Sequence, residues 1–441
     1  MIRSTRITVA GMAALTVLAL AACSSGGGST PSSSAAGTAN PTTLTFWHYE
    51  GEDSAMAQSW NAAIKEFEAA NPGVTVTVEK QTFEQLQKNA KIVLAGKDVP
   101  DVMEYNKGNA TAGQLASQGL LTDLTDDAKT YGWDTKLPSS VQTTAKYDDN
   151  GLMGSGNWYG VPNYGEYVTV FYNKDMFAKY GIAVPTTLTE LEAAMDTFVK
   201  NGVTPLAEAG AEYPLGQLWY ELVLSGADRA FVDSFQLFKG DVSFTSGPLL
   251  DGTNKLADWV AKGYLSKDSS GLKAEDMGTA FIAGKYPIMV SGSWWFGRLN
   301  KEVTTFKLGQ FTFPGNTLNP GSSGNLLVIP KNATHQELAA KFIDATLGKT
   351  AQDTSAKLGG LPVAGDSSVI TDENTKTLQQ NFDTVVKNDG LAFYPDWPVP
   401  GFYDQLVSFG QSIVNGSKSP ADALAALGQY YDSGRKDLTG K

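Results

Sequence analysis

Covalent and metal chemistry need side-chain sets that this sequence barely holds. Cys23 is its only cysteine, and His48 and His335 are its only histidines. A Cys/His zinc set therefore lacks ligands, a His-activated nucleophile must use one of two residues, and no intrachain disulfide can form. Carboxylates are plentiful. Glu104 and Glu166 are the pair that could serve as acid and base on a glycosidic bond, if both faced one cleft. Glu50, Glu52, Asp53 and Glu104 are each expected to be solvated unless function holds them. Gly348-Lys349-Thr350 ends like a phosphate-binding loop, but the glycine required five residues earlier is Ile343, so it marks a helix terminus. Gly321-Ser322-Ser323-Gly324 is a loop and not a nucleophile elbow. His48, at a strand end, suits either a ligand contact or a structural hydrogen bond. Aromatic chemistry is better served. The apolar run Pro287–Val290 ends in Ser291-Gly292-Ser293 and then presents Trp294, Trp295 and Phe296. A tryptophan just past a strand end offers a cleft one flat apolar face and one N–H donor. Two adjacent indoles cannot easily share one interior, so at least one is expected at a surface or site.

The elements that must position these residues follow from the periodicity. Leu44–Trp47 predicts a strand, and Asp53-Ser54 caps a helix carrying Met56, Trp60, Ile64 and Phe67 on one face. Val74–Val78 alternates as a strand, and a helix with Leu86, Ala90, Val93 and Leu94 on one stripe runs to Gly96. Asp101–Tyr105 is a third strand, followed by a helix over Ala110–Gln118. Strand–helix alternation at this spacing implies a parallel sheet, with ligand bound beyond the carboxyl ends of its strands. Those ends hold His48-Tyr49-Glu50, Gln81 to Glu84, and Tyr105-Asn106. A second set of elements begins after the extended stretch from Tyr159 to Asp175. Thr187 and Glu190 form a capping box for a helix through Val199. Leu218–Leu224, Asp251–Lys262 and Ala274–Ala283 are helical, and Phe311–Pro314 and Leu326–Pro330 are strands. Thr334 with Glu337 caps a helix to Leu347. The tail holds an aromatic loop, Phe393–Pro398, and two helices, the last opening at Ser419-Pro420.

The 441 residues exceed one compact core and suggest two lobes. Net charge is −12, or −14 without residues 1–22, which carry Arg3 and Arg6. Such a surface argues against nucleic acid and anionic membrane surfaces as partners. Ile7–Ala22 is apolar but shorter than the roughly 20 residues that span a bilayer, so residues 1–22 are expected to be a cleaved signal peptide. Small residues before Cys23 resemble a bacterial lipobox, in which that cysteine takes the lipid. Ser24–Asn40 has no large apolar residue and forms a flexible tether, reaching about 20–25 Å as a coil. The chain is thus expected to be lipid-anchored at the outer face of the cytoplasmic membrane.

Several local patterns, in order, resemble the carbohydrate-binding class of solute-binding lipoproteins of ABC transporters. They are the lipobox, Leu44–Trp47, Val99-Pro-Asp-Val102, Gly119–Asp123, Tyr159-Gly-Val-Pro162 with Tyr172-Asn-Lys-Asp175, and Phe281 through Trp294. Val328-Ile-Pro-Lys331, Ala339–Phe342 and Ser419–Ala423 complete the set. The resemblance implies an α/β, two-lobed periplasmic-binding-protein fold, each lobe a sheet flanked by helices, with ligand in the interlobe cleft. Lobe 1 would take residues 41–167 and 311–346, lobe 2 residues 168–310 and 347–441, with crossings near Val168, Gln310 and Leu347. It also implies a monomer that needs no cofactor or metal, delivers a di- or oligosaccharide to a membrane permease, and performs no catalysis. By position, Trp294 matches the family's stacking tryptophan, Glu166 an acidic cleft residue, and Tyr105 and Asn106 the end of the third strand. Gln217, Trp219, Trp397, Phe402 and Tyr403 fall in regions that supply further aromatics and hydrogen bonds. Gly108 and Asn109 stand where some relatives have an Asp-Arg pair.

The residues support the same expectation independently. A sugar lays its C–H patches on an indole, and burying about 100 Å² of them is worth roughly 2.5 kcal/mol. Its hydroxyls need donors and acceptors, which carboxylates, amides and tyrosines supply. A phosphate or carboxylate ligand would call for Arg or Lys instead. The candidate binding set is therefore Tyr49, Glu50, Glu84, Tyr105, Asn106, Glu166, Gln217, Trp219, Trp294, Trp295, Trp397 and Tyr403. Two alternatives remain: a binding protein for a cationic solute such as a polyamine, held by acidic residues and aromatic walls, and a secreted glycoside hydrolase using Glu104 and Glu166.

Overall fold

Period-two alternation in Thr42–His48 buries Leu44, Phe46 and His48 and turns the intervening residues outward, which makes this segment a strand with one face on a core. A computed structural model describes residues 41–440. The expected signal peptide, Cys23 and the tether lie outside the described residues. The helix Ala55–Ala70 follows, its first turn capped by Ser54, whose Oγ accepts the Ala57 N–H at 3.1 Å. It lays Met56, Trp60, Ala63 and Phe67 onto the sheet.

The first sheet has the order Val74–Lys80, Thr42–His48, Val102–Tyr105, Leu326–Val328, Val161–Pro162. The first three strands run parallel, with Thr42 opposite Val74 and Phe46 opposite Val102. The expected parallel sheet ends there. Leu326–Val328 is antiparallel to both of its neighbours, because it returns from the other half of the molecule.

The second sheet is built on Tyr164–Asn173, a strand buried at all ten positions that starts just after Pro162. Leu308–Phe311 and Ile288–Gly292 flank its C-terminal half antiparallel, and Leu206–Ala207 adds on parallel to Ile288–Gly292. Gly321–Ser323 and Leu361–Pro362 pair with its N-terminal end. One extended stretch thus runs from the first sheet into the second, and the return from Gly321–Ser323 to Leu326–Val328 lies beside it. Val168 and Gln310, two of the three expected crossings, both sit inside second-sheet strands, and the third, Leu347, is the C-cap of Gln336–Thr346.

Several expected boundaries shift for identifiable reasons. The strand expected at Phe311–Pro314 is Leu308–Phe311. The helix expected from Ala110 opens as a π-turn over Asn109–Gly113, where Gly113 lies so close to the Gly151 carbonyl that a Cβ would stand 2.1 Å from it. Thr334 does not cap Gln336–Thr346. His335 occupies that position, and its N–H donates to Asp101 Oδ1 at 3.0 Å. The capping box at Thr187 and Glu190 is present, as is the Ser419 cap on Pro420–Thr439.

Candidate functional site

The strands of the first sheet release their side chains at one end. Thr42–His48 is followed by Tyr49 and Glu50, Val102–Tyr105 by Asn106 and Lys107, and Asn325 precedes Leu326. From the second sheet, Glu166 projects from the long strand and Trp294 follows Ile288–Gly292. Tyr213 and Gln217 come from the first turn of Pro214–Leu224. The tail contributes Tyr394, Asp396, Trp397 and Tyr403. With Phe83, these residues enclose a cavity of about 240 Å³ between the sheets.

A polar chain runs along its floor. Glu104, fully buried at the end of its strand, accepts the Tyr49 N–H at 3.1 Å and the Asn325 amide at 3.0 Å. Asn325 Oδ1 accepts from Lys107 Nζ at 2.9 Å, and that ammonium also pairs with Glu166. Lys107 is 1% exposed and lies 5.4 Å from the Tyr394 ring centroid and 5.3 Å from that of Trp397. A buried ammonium thus has a carboxylate, an amide and two aromatic faces around it. Burial raises the carboxyl pKa values. Glu50 is pushed up to about 7, against a hydrogen bond from Ser54, and Asp396 to about 6. Glu104 rises well above the carboxylate range through burial and then the Glu50 charge. Glu166 rises too, with Lys107 opposing.

The aromatic walls are fixed by packing. Trp294 is half-buried, tilted against Tyr394 at 6.1 Å and edge-on to Tyr213 at 5.7 Å. Gly292 lies beneath it, where a Cβ would come within 2.0 Å of the indole. Both Trp294 and Trp295 direct their N–H toward the Tyr213 hydroxyl, at 3.3 and 3.2 Å. Phe83 meets Tyr49 edge-on at 5.3 Å and Tyr403 at 6.2 Å. Gly108, at φ +107°, allows the strand exit to pass under Trp397, since a Cβ there would lie 2.6 Å from that side chain.

Eight of the twelve sequence-derived candidates meet on this cavity: Tyr49, Glu50, Asn106, Glu166, Gln217, Trp294, Trp397 and Tyr403. Four do not line it. Trp219 is fully buried, its N–H bound to Thr253 Oγ1 at 2.9 Å and its ring edge-on to Phe409, because Pro214–Leu224 is buried on every face. Trp295 turns inward over Gly278, which leaves room for its ring. Tyr105 is 4% exposed within the core. Glu84 is half-exposed in the first turn of Phe83–Leu94, one residue beyond Phe83.

Other expectations change as well. Glu104 is not solvated and engages Asn325, while Glu166, on the cavity wall, engages Lys107. His48 does not line this cavity. It packs 5.2 Å from Trp60, and burial followed by the Lys80 charge lowers its pKa to about 4. Asn109 is structural, bonding the Gln236 and Pro398 carbonyls. Sequence reasoning missed Phe83, Lys107, Tyr213, Asn325, Tyr394 and Asp396. Lys107 directly follows a chosen residue, and Tyr394 and Asp396 share the loop of Trp397. Nothing local marks Asn325 or Tyr213.

Residues 53–353 match the bacterial extracellular solute-binding protein family. The chain is similar to the multiple sugar-binding protein of Streptococcus mutans, 24% identical over 370 residues that span 81% of this chain and 82% of that one. It is 23% identical to the maltodextrin-binding protein MdxE of Bacillus subtilis over 290 residues, 63% of each. Among solved structures, the GacH receptor of Streptomyces glaucescens, determined unliganded and with acarbose, superposes with a TM-score of 0.71. The match is 24% identical and covers 90% of this chain and 99% of that one. A chitin oligosaccharide binding protein superposes at 0.75, with 22% identity over 89% and 99% of the two chains. These likenesses show the two-domain binding-protein fold.

Proposed function

Because the chain belongs to the bacterial extracellular solute-binding protein family, we propose that it captures a carbohydrate outside the cytoplasm and delivers it to the membrane permease of an ABC importer. The observation that carries this reading is the cavity itself. Flat rings of Trp294, Trp397, Tyr49 and Tyr403 stand around it, while Asn106, Gln217, Asn325 and the carboxyls offer donors and acceptors at its edges. That mixture matches a sugar, which is apolar on its ring faces and hydroxylated around its rim. The single ammonium, Lys107, is neutralised by Glu166, so the cavity is not built for a phosphate or a carboxylate.

The chain binds and releases its ligand unchanged. Glu104 and Glu166, the pair the sequence suggested for acid–base chemistry, are tied into the Asn325–Lys107 chain. Cys23 carries the lipid and Ser24–Asn40 tethers the folded part, as a monomer, to the outer face of the membrane. Each sheet forms the centre of one lobe, with the chain passing between them at Pro162–Tyr164 and again at Ser323–Leu326, and the lobes close on the ligand. A thermal-shift screen of mono- and oligosaccharides tests the capture reading. A ligand at 100 times its Kd stabilises the fold by about 2.7 kcal/mol. A raised melting temperature with one sugar, and recovery of that sugar intact, is the expected result. No shift with any sugar, or a cleaved product, overturns it.

A further inference from the structure

We propose that the carbohydrate carries a protonated amine, which the Glu50 and Asp396 carboxyls receive. This inference rests on the carbohydrate reading and narrows it to amino sugars. Three carboxyls line the cavity, Glu50, Glu166 and Asp396, against one cation. That cation, Lys107, is already committed to Glu166 and to the Asn325 carbonyl. Two carboxyls on the wall therefore have no cation of their own among the described residues. The hydrogen bonds of Glu50 run to Ser54 and to the Glu104 carboxyl, and a carboxyl–carboxyl bond requires a proton between the two.

A second observation is independent of the charges. Gln217 is 4% exposed and lines the same cavity, yet its Oε1 has no hydrogen-bond partner among the described residues. A buried acceptor left open calls for a donor from the ligand. An ammonium offers three donors and no acceptor, and aromatic faces attract it further. A neutral sugar would displace water from Glu50 and Asp396 without supplying a countercharge, which is costly in an enclosed site whenever they are ionised. An amino sugar meets the stacking walls with its ring and the acids with its nitrogen.

The test is calorimetric titration of the ligand-free protein with matched pairs. These are glucosamine against glucose, galactosamine against galactose, and deacetylated chitobiose against cellobiose and N,N′-diacetylchitobiose, with spermidine as an amine that has no ring. At least one amino sugar is expected to bind about tenfold or more tighter than its hydroxyl and acetylated counterparts. Glu50→Gln and Asp396→Asn are each expected to reduce that ratio, and the wild-type pairs decide the question even if a variant folds poorly. Neutral sugars binding as well as or better than every amine overturn the inference and leave carbohydrate capture standing. Binding of spermidine with no sugar overturns both, whereas binding of nothing in the panel overturns the amine inference and leaves carbohydrate capture to the wider sugar screen.

Discussion

Lys107→Met removes the only ammonium on the cavity floor while keeping most of its volume. The lysine is 1% exposed, and the Glu166 side chain beside it 7%. Breaking a buried pair from one side leaves an uncompensated charge, which costs about 3–5 kcal/mol. Here part of that cost is avoidable, because burial already raises the Glu166 pKa against the opposing Lys107 charge, and losing Lys107 lets the carboxyl take up a proton more readily. A carboxyl with a raised folded pKa binds more protons folded than unfolded, so its penalty is absent at low pH and grows as pH rises. The loss should therefore be smaller at pH 5 than at pH 8, where it approaches about 3–4 kcal/mol. Glu166→Gln strands the ammonium instead. The Asn325 carbonyl and the rings of Tyr394 and Trp397 still face it, so about 2–3 kcal/mol is expected. The double variant removes both charges and should return to within about 1–2 kcal/mol of wild type, a coupling energy of at least about 2 kcal/mol. Urea unfolding of the four ligand-free proteins at both pH values measures every term. Single variants as stable as wild type at pH 8, or a double variant as weak as the sum of the singles, would refute the claim that this pair organises the floor.

Trp294→Ala should weaken carbohydrate binding by about 2–4 kcal/mol in titration, with the ligand-free melting temperature within a few degrees of wild type. Gly292→Ala should weaken binding by displacing the same indole without removing it. Glu208, buried with one oxygen on the Ala209 N–H and the other unpartnered, has its pKa raised by burial to about 8. The folded state thus holds a proton that the unfolded chain loses near pH 4.5, and stability falls as pH rises between those values. Glu208→Gln should be close to wild type at pH 5 and more stable by about 2–4 kcal/mol at pH 8 by urea unfolding. Cys23→Ser should release the protein from the membrane fraction with unchanged affinity; retention there would remove the lipid anchor.

Much of the fold was legible because its signals are local. Thr42–His48 alternates at period two, Ala55–Ala70 repeats its apolar stripe at helical spacing, and the Thr187–Glu190 and Ser419 caps are fixed by a few adjacent residues. What depended on return of distant chain was not legible. The antiparallel entry of Leu326–Val328 beside Val102–Tyr105 joins residues more than two hundred apart, and no local pattern encodes it. Periodicity could not place Trp219 either. A helix buried on every face has no polar side from which to tell a core tryptophan from a cleft tryptophan.

The site divides along the same line, and Lys107 shows why. By residue type it belongs at the surface, and its own strand says only that the chain leaves the sheet there. Its burial is made by Asn325, which arrives from a distant strand, by Glu166 from the other sheet, and by Tyr394 and Trp397 from the tail. None of these partners lies within fifty residues of it in sequence. Trp294 is the opposite case, because the Gly292 over which its ring lies is only two residues before it. Its neighbour Trp295 needs Gly278, on another helix, to accept it inward. Residues that line the cavity through their own turn could be named from the chain, whereas those held there by partners from three separate segments could not. The charge balance of the cavity is of the second kind, and so the choice among sugars is written in tertiary contacts and not in any one stretch of sequence.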